Sequence, residues 1–260
     1  MRVKVEGLLI SKIPFGDKHF IAKLLLRNGK KISVVFYGAR GAGKKRTSSL
    51  ADLGHMLAVE LGRAKYGEHL YPAKEWSLIW APKKIREDYK AFSLMSLYFE
   101  IVAKFCLEDH LETESDEHDG PFRVLSNAVF FLEDSLKKGD FNPYEQLLLF
   151  LGKVFQDQGI FPKMGDCIFC DRKLEHVSQM SLVFEQGGFS CSLCLGPQSE
   201  GVGRDAWQFL NMVRSSSYQD FSFKTLEFQS IKSLCQLLLG HFCYQFHLEE
   251  RQFRALPMVL

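Results

Sequence analysis

Along the first third of the chain, apolar positions come in short runs separated by turn-forming residues, which predicts strands. Val3, Val5, Leu8 and Ile10 form one β-compatible run, and Phe20–Leu26 forms a second. Arg27-Asn28-Gly29-Lys30 then carries an Asn-Gly pair, which tolerates positive φ and so predicts a hairpin turn into a strand at Ile32–Tyr37. Within Leu50–Leu61, Met56, Ala58 and Glu60 alternate with Leu57, Val59 and Leu61, the pattern of a strand with one wet face. Leu70, Tyr71, Trp76, Leu78 and Ile79 predict a fifth strand. Five short strands with Gly-rich connections fit a small barrel, which hides its edges by closing on itself.

After Pro82 the period changes. Phe92, Met95, Phe99, Val102 and Cys106 recur at spacings of three and four, a helical stripe. Residues 108–119 hold seven acids and two His without periodicity and read as a solvated loop. Leu125, Ala128, Leu132 and Leu136 mark a second helix. Asn142-Pro143-Tyr144-Glu145 opens a third with an N-cap, a first-turn Pro and a Glu three residues on, and Gly159 closes it. Two more helices are expected at Asp205–Ser217 and Thr225–Leu248. The fold class is therefore α+β, with a barrel domain at 1–80 and a helical domain at 81–260. No apolar run exceeds five residues (Ala128–Leu132 and Leu147–Leu151), far short of a membrane span or a signal-peptide core.

Seven cysteines without an export signal point to a reducing compartment, where paired Cys usually mean metal. Cys167-Ile-Phe-Cys170 and Cys191-Ser-Leu-Cys194 each offer a chelating pair, with twenty residues between the pairs. Tetrahedral Zn²⁺ takes four such thiolates, and a set of four Cys leaves no open position for water. The expected cofactor is one structural zinc per chain, held in a module at about 163–200. Leu182–Glu185, Gln186-Gly187-Gly188 and Phe189–Cys191 read as a hairpin that delivers the second pair beside the first. A redox C-x2-C is the alternative, disfavoured by two pairs at metal spacing. Cys106, Cys235 and Cys243 sit on apolar helical faces and read as core.

Charge divides the chain. Residues 1–80 hold 15 Lys and Arg against 6 Asp and Glu, a balance of +9, and the remaining 180 hold 18 against 25, a balance of −7. A basic barrel on an acidic remainder suggests an anionic partner for the N-terminal part. Gly38-Ala-Arg-Gly-Ala-Gly43-Lys44-Lys45 follows a strand and approaches a phosphate-binding loop, but Lys45 stands where Ser or Thr would hold Mg²⁺. Arg40, Lys44, Lys45 and Arg46 are better suited to nucleic-acid phosphates, where each contact releases a counterion. Lys30, Lys31 and Arg63 join them as candidates. Tyr37, at a strand end, reads either as a core residue or as a base-stacking platform. No nucleophile elbow, H-E-x-x-H, deaminase or calcium-loop pattern is present, so the sequence makes no case for an enzyme.

These features together resemble the bacterial RecO family of recombination mediators. The resemblance is carried by Gly7–Ile10, Gly16-Asp17, Val35–Arg40, Leu70–Glu75, Phe184–Cys191 and His247–Arg254. It departs at Lys12, Asp17, His19, Arg254-Ala255 and Asp171, the last standing after the first C-x2-C where Gly is usual. The resemblance implies an OB-fold barrel and a helical domain with an inserted zinc module. It further implies a cytoplasmic, nucleoid-associated repair protein that binds single- and double-stranded DNA and anneals complementary strands. Implied partners are RecR and the acidic C-terminal tail of single-stranded-DNA-binding protein, in the loading of RecA; no membrane is involved. Two other readings remain open at this point. One is a zinc-ribbon adaptor with an RNA-binding barrel, the other a divergent P-loop NTPase dependent on Lys44.

Overall fold

The computed structural model describes residues 3–38, 50–64, 69–106, 108, 119–196, 201–218 and 227–260, and the side chains of these except Leu195 and Phe228. It divides into two compact units, Met1–Gly139 and Asp140–Leu260.

The first unit begins with β1 (Val3–Phe15), β2 (His19–Leu26), β3 (Lys31–Phe36), β4 (Met56–Leu61) and β5 (Leu70–Trp80). They form a closed barrel in the order β1-β2-β3-β5-β4. Antiparallel pairing of β1 with β4 completes the ring, and β3 with β5 is the one parallel pair in it. A register shift between Leu9 and Ser11 bends β1, which lets one long strand pair with β2 and β4. The two pairings overlap at Gly7 and Leu8, with Gly7 opposite both Leu26 and Leu57. A Cβ there would stand 3.1 Å from the Leu25 carbonyl oxygen and 3.0 Å from Leu26. The Asn28-Gly29 turn forms as the sequence predicts, with Gly29 at φ 79° and Leu26 N–H donating to the Lys30 carbonyl at 2.8 Å.

Inside the barrel, Leu9, Phe20, Leu24, Val34, Phe36, Leu57 and Val59 are buried together. The wet face expected for β4 is reduced to Glu60, because Met56 and Ala58 are buried as well. Helix α1 (Tyr89–Phe105) explains this, since it packs on the neighbouring β1 and sets Met95 under Gly54. Its burial is wider than the Phe92–Cys106 stripe: Leu94, Leu97, Tyr98 and Ile101 are covered too. Asp88 caps α1 by accepting from Ala91 N–H at 2.8 Å.

Helix α2 (Gly120–Lys138) completes the unit and ends on Gly139 in the left-handed region. Glu133, on its inner face, is only 3% exposed. Its carboxylate accepts from the N–H groups of Lys83, Lys84 and Ile85 at 3.0–3.2 Å, fastening the β5–α1 connection to α2. Burial opposes its charge, yet these three donors and Lys137 hold the carboxyl below the usual carboxylate range. The barrel therefore ends near residue 80 while the compact unit runs on through α1 and α2 to 139.

The second unit is built on α3 (Pro143–Asp157), buried along nearly its whole length. Asn142 Oδ1 accepts from the N–H groups of Tyr144 and Glu145, and Gly159 takes φ 68° just past the end. Strands β6 (Gln179–Val183) and β7 (Gly188–Cys191), the short helix α4 (Ser192–Leu195) and strand β8 (Val202–Gly203) follow. Then come α5 (Arg204–Ser215), α6 (Phe228–Gln245) and the short α7 (Leu256–Val259). Helix α3 packs against α5 and α6. Gly152 permits the first contact, since a Cβ there would lie 2.3 Å from Val213. Lys153 reaches from α3 to the end of α5 and donates to the Val213 and Ser216 carbonyls.

Candidate metal centre and nucleic-acid interface

The metal centre arises from two short turns brought together by a hairpin. Strands β6 and β7 pair antiparallel in the order β7-β6-β8, with Met180 opposite Cys191. Gly187, at φ 59°, closes the hairpin turn. The first turn docks on β7: Ile168 N–H donates to the Phe189 carbonyl, and Lys163 and Gly187 pair through the main chain. Helix α4 starts directly after Cys191 and carries Cys194 one turn on.

The four Sγ atoms of Cys167, Cys170, Cys191 and Cys194 lie within 4.8 Å of one another. Separations are 3.9 Å for Cys167–Cys194, 3.8 Å for Cys170–Cys191 and 3.6 Å for Cys191–Cys194. Metal–sulfur bonds of about 2.3 Å at tetrahedral angles require edges of about 3.8 Å. The sulfur set therefore fits a four-coordinate metal closely. Cys167 and Cys191 are buried, and Cys170 and Cys194 are exposed.

Cys191 N–H donates to Cys167 Sγ at 3.3 Å. Burial opposes the Cys167 thiolate, but N–H groups of Cys191, Phe169 and Cys170 and the Ser190 hydroxyl outweigh it and draw the thiol down to about 6. Cys194 moves the other way, to about 12, because its thiol keeps its proton in hydrogen bonds shared with Cys170 and Cys191. Asp171, after the first pair, sits at φ 57°, and its N–H donates to the Cys167 carbonyl at 2.9 Å. The turn thus imposes a left-handed residue at the place where Gly is usual.

The second candidate surface is the outside of the barrel at the β1–β2 turn. Phe15 pairs with His19 across that turn. Gly38 N–H donates to His19 Nδ1 at 2.8 Å, and the Tyr37 ring meets the His19 ring edge-on at 5.1 Å. Phe15 is 44% exposed and Tyr37 46%, which decides between the two readings of Tyr37 in favour of the surface.

No family model matches the chain. Curated relatives do. DNA repair protein RecO of Bacillus cytotoxicus is 26% identical over 190 residues, covering 72% of this chain and 68% of that protein. DNA repair protein RecO of Bacillus mycoides is 25% identical over 190 residues, 73% of this chain and 69% of its own length. The same protein of Bacillus cereus matches with the same figures. The chain resembles the RecO family.

The closed five-stranded barrel, the helices and the four-Cys cluster are the architecture that the RecO resemblance implies. Among the residues put forward for DNA, Arg63 is exposed just after β4, and Lys30 is half-buried in the hairpin. Lys31 is corrected: it is 5% exposed, and its Nζ donates to the Ala103 carbonyl near the end of α1 at 2.8 Å. Burial, with Lys23 nearby, pushes its pKa down. It fastens helix to barrel and has no free ammonium for a phosphate. Arg40, Lys44, Lys45 and Arg46 lie outside the described residues, as do residues 109–118 of the acidic stretch.

The P-loop reading loses its footing, because the strand before the loop belongs to a closed barrel and the next strand is β4 of that barrel. The sequence pattern alone does not mark Phe15 and His19 as surface candidates. The available signal was the three-residue Gly16-Asp17-Lys18 turn, which makes its flanking residues a cross-strand pair. Among the described residues no helix is long and apolar enough to cross a membrane.

Proposed function

We propose that this chain is a DNA repair and recombination mediator of RecO type. It binds single- and double-stranded DNA through the barrel, anneals complementary strands, and with RecR helps load RecA onto DNA coated by single-stranded-DNA-binding protein. The observation that carries the reading is a closed five-stranded barrel whose sequence, residues 1–80, holds a +9 balance. Cations around a barrel neutralise phosphates without regard to sequence, and an exposed ring such as Tyr37 stacks on any base. Annealing needs both properties, since two strands must be held by their backbones while their bases stay free to pair. No bond is made or broken in this role, and the protein acts by binding in the cytoplasm.

Arg40, Lys44, Lys45, Arg46, Lys30 and Arg63 are the proposed phosphate contacts. Cys167, Cys170, Cys191 and Cys194 hold the metal, which we take as one Zn²⁺ per chain from the all-thiolate donor set. When bound, the ion supplies cross-linking of the two turns and no Lewis-acid chemistry, because all four positions are filled by protein. The residues around it act on the ligands: Ser190 and the Cys191 N–H orient Cys167, and the β6–β7 hairpin fixes Cys191. The acidic, apolar-ended tail of single-stranded-DNA-binding protein would dock on the helical domain, residues 81–260.

Annealing of two complementary dye-labelled oligonucleotides, followed by energy transfer, tests the reading. The chain should accelerate annealing, and Lys44→Glu/Lys45→Glu/Arg46→Glu should abolish most of the acceleration. Annealing no faster than without protein, or a preference for RNA over DNA, would overturn it.

A further inference from the structure

On the outer face of the barrel Tyr37, the ring offered above for stacking, stands in a row with two further rings that the binding of phosphates leaves without a role. Phe20 and Phe36 lie opposite each other in the β2–β3 register and stack inside the core with ring centroids 4.7 Å apart. Side chains alternate along a strand, so the preceding residue on β2 and the following residue on β3, His19 and Tyr37, face outward side by side. Their ring contact at 5.1 Å agrees with this. Phe15 is the cross-strand partner of His19 on the other side and shares its face. Phe15, His19 and Tyr37 therefore form a row across three adjacent strands, a span of roughly 10 Å at strand spacing.

The row is held in place and left open. Gly38 N–H donates to His19 Nδ1, which ties the exit of β3 to the entry of β2 and orients the middle ring. Phe15 and Tyr37 nevertheless keep nearly half of their surface in water, and Ile13, two residues along β1 on the same side, is 56% exposed. Exposing this much apolar surface in one place costs solubility, which points to an occupant. Tyr37 and Gly38 also lead directly into the stretch that carries Arg40, Lys44, Lys45 and Arg46.

We infer that Phe15, His19 and Tyr37 are a stacking platform for unpaired bases, which gives the barrel a preference for single strands over duplex. The inference rests on the DNA-binding reading above and divides it in two. Charges supply the affinity common to both forms, whereas the rings act only on bases whose faces are free. In a duplex those faces are covered by neighbouring pairs, so the row adds nothing there. Rings in a row separated by a strand spacing suit successive bases of one splayed strand, with no hydrogen-bond readout and hence no sequence requirement.

Fluorescence anisotropy with three labelled probes of equal length tests this: oligothymidylate, an abasic oligonucleotide with the same phosphates, and a duplex. The full-length chain should bind oligothymidylate at least roughly fivefold tighter than the abasic strand. Phe15→Ala/Tyr37→Ala should remove that difference, leave duplex affinity within twofold, and leave the salt slope on the abasic strand unchanged. Both residues are exposed, so the variant should keep the circular dichroism of the parent. Equal binding of thymidylate and abasic strands by the parent overturns the platform while the DNA-binding reading stands. A variant that still prefers bases also overturns it and leaves the row to a protein partner. Failure of the parent to bind any probe removes the DNA-binding reading and the platform with it.

Discussion

The barrel and the metal-bearing module solve the same problem of stability by opposite means. The barrel surrounds a continuous apolar interior that includes Leu9, Leu24, Val34, Leu57 and Val59, so its outer face is free to carry exposed rings and cations. The module between Lys163 and Gly203 has only a few buried apolar residues, among them Met164, Leu174, Met180 and Phe189, around four sulfur atoms. A segment of about 40 residues cannot hold itself together by burial alone. The four sulfurs are placed so that metal ligation, as proposed above, would take the place of the missing core. The lesson is that surface substitutions on the barrel report on binding, whereas substitutions at the sulfurs report on folding.

Removing a ligand breaks this contrast most severely. Structural zinc contributes ~10 kcal/mol or more to the folding of small metal-dependent modules. Cys191→Ser should therefore lose its metal, measured by elemental analysis, and open the module to protease cleavage between Lys163 and Gly203. Affinity of the barrel for single-stranded DNA should stay within twofold. A module that resists protease without metal would show that its apolar residues suffice.

Among the described residues, two buried glutamates extend the comparison. Glu133, in the first unit, accepts from three main-chain N–H groups. Truncation leaves those donors without an acceptor, so Glu133→Ala should cost about 2–4 kcal/mol in urea unfolding. Its depressed pKa adds a sign: the carboxylate's stabilisation is full above about 4.5 and is lost as pH falls through the lower folded value. Glu145, in the second unit, is just as buried, and burial alone raises its pKa to about 7. Here the unfolded state ionises first, so stability falls as pH rises from 4.5 through 7. Glu145→Gln should therefore stabilise the chain at pH 8 by about 1–3 kcal/mol, a gain that disappears below pH 4.5.

The smallest effect concerns Asp171. Because this residue holds φ 57°, Asp171→Gly should relieve the left-handed conformation and stabilise the metal-loaded protein slightly, by about 0.5–1 kcal/mol in urea unfolding. No change would mean that a local Asp hydrogen bond already offsets the strain.

Much of this architecture was legible in the chain itself. Asn28-Gly29, Asn142-Pro143 and the two C-x2-C pairs each tie a local conformation to a residue type, and each lies where the sequence pattern put it. Other features depend on long-range partners and left no local signal. Lys31 reads like any surface cation until α1 arrives to take its ammonium on the Ala103 carbonyl. Glu133 sits on a helix face with nothing nearby in sequence to mark its three donors, which come from residues 83–85. The wide burial of α1 likewise required knowing that it packs against both β1 and α2.

The central claim is that the basic barrel is a phosphate-binding surface. Anisotropy of a labelled single-stranded oligonucleotide against the full-length chain, repeated from low to moderate salt, tests it directly. The account expects log affinity to fall linearly with log salt, with a shallower slope and weaker binding in Lys44→Glu/Lys45→Glu/Arg46→Glu. Absence of binding at low salt, or binding that ignores salt, would contradict it.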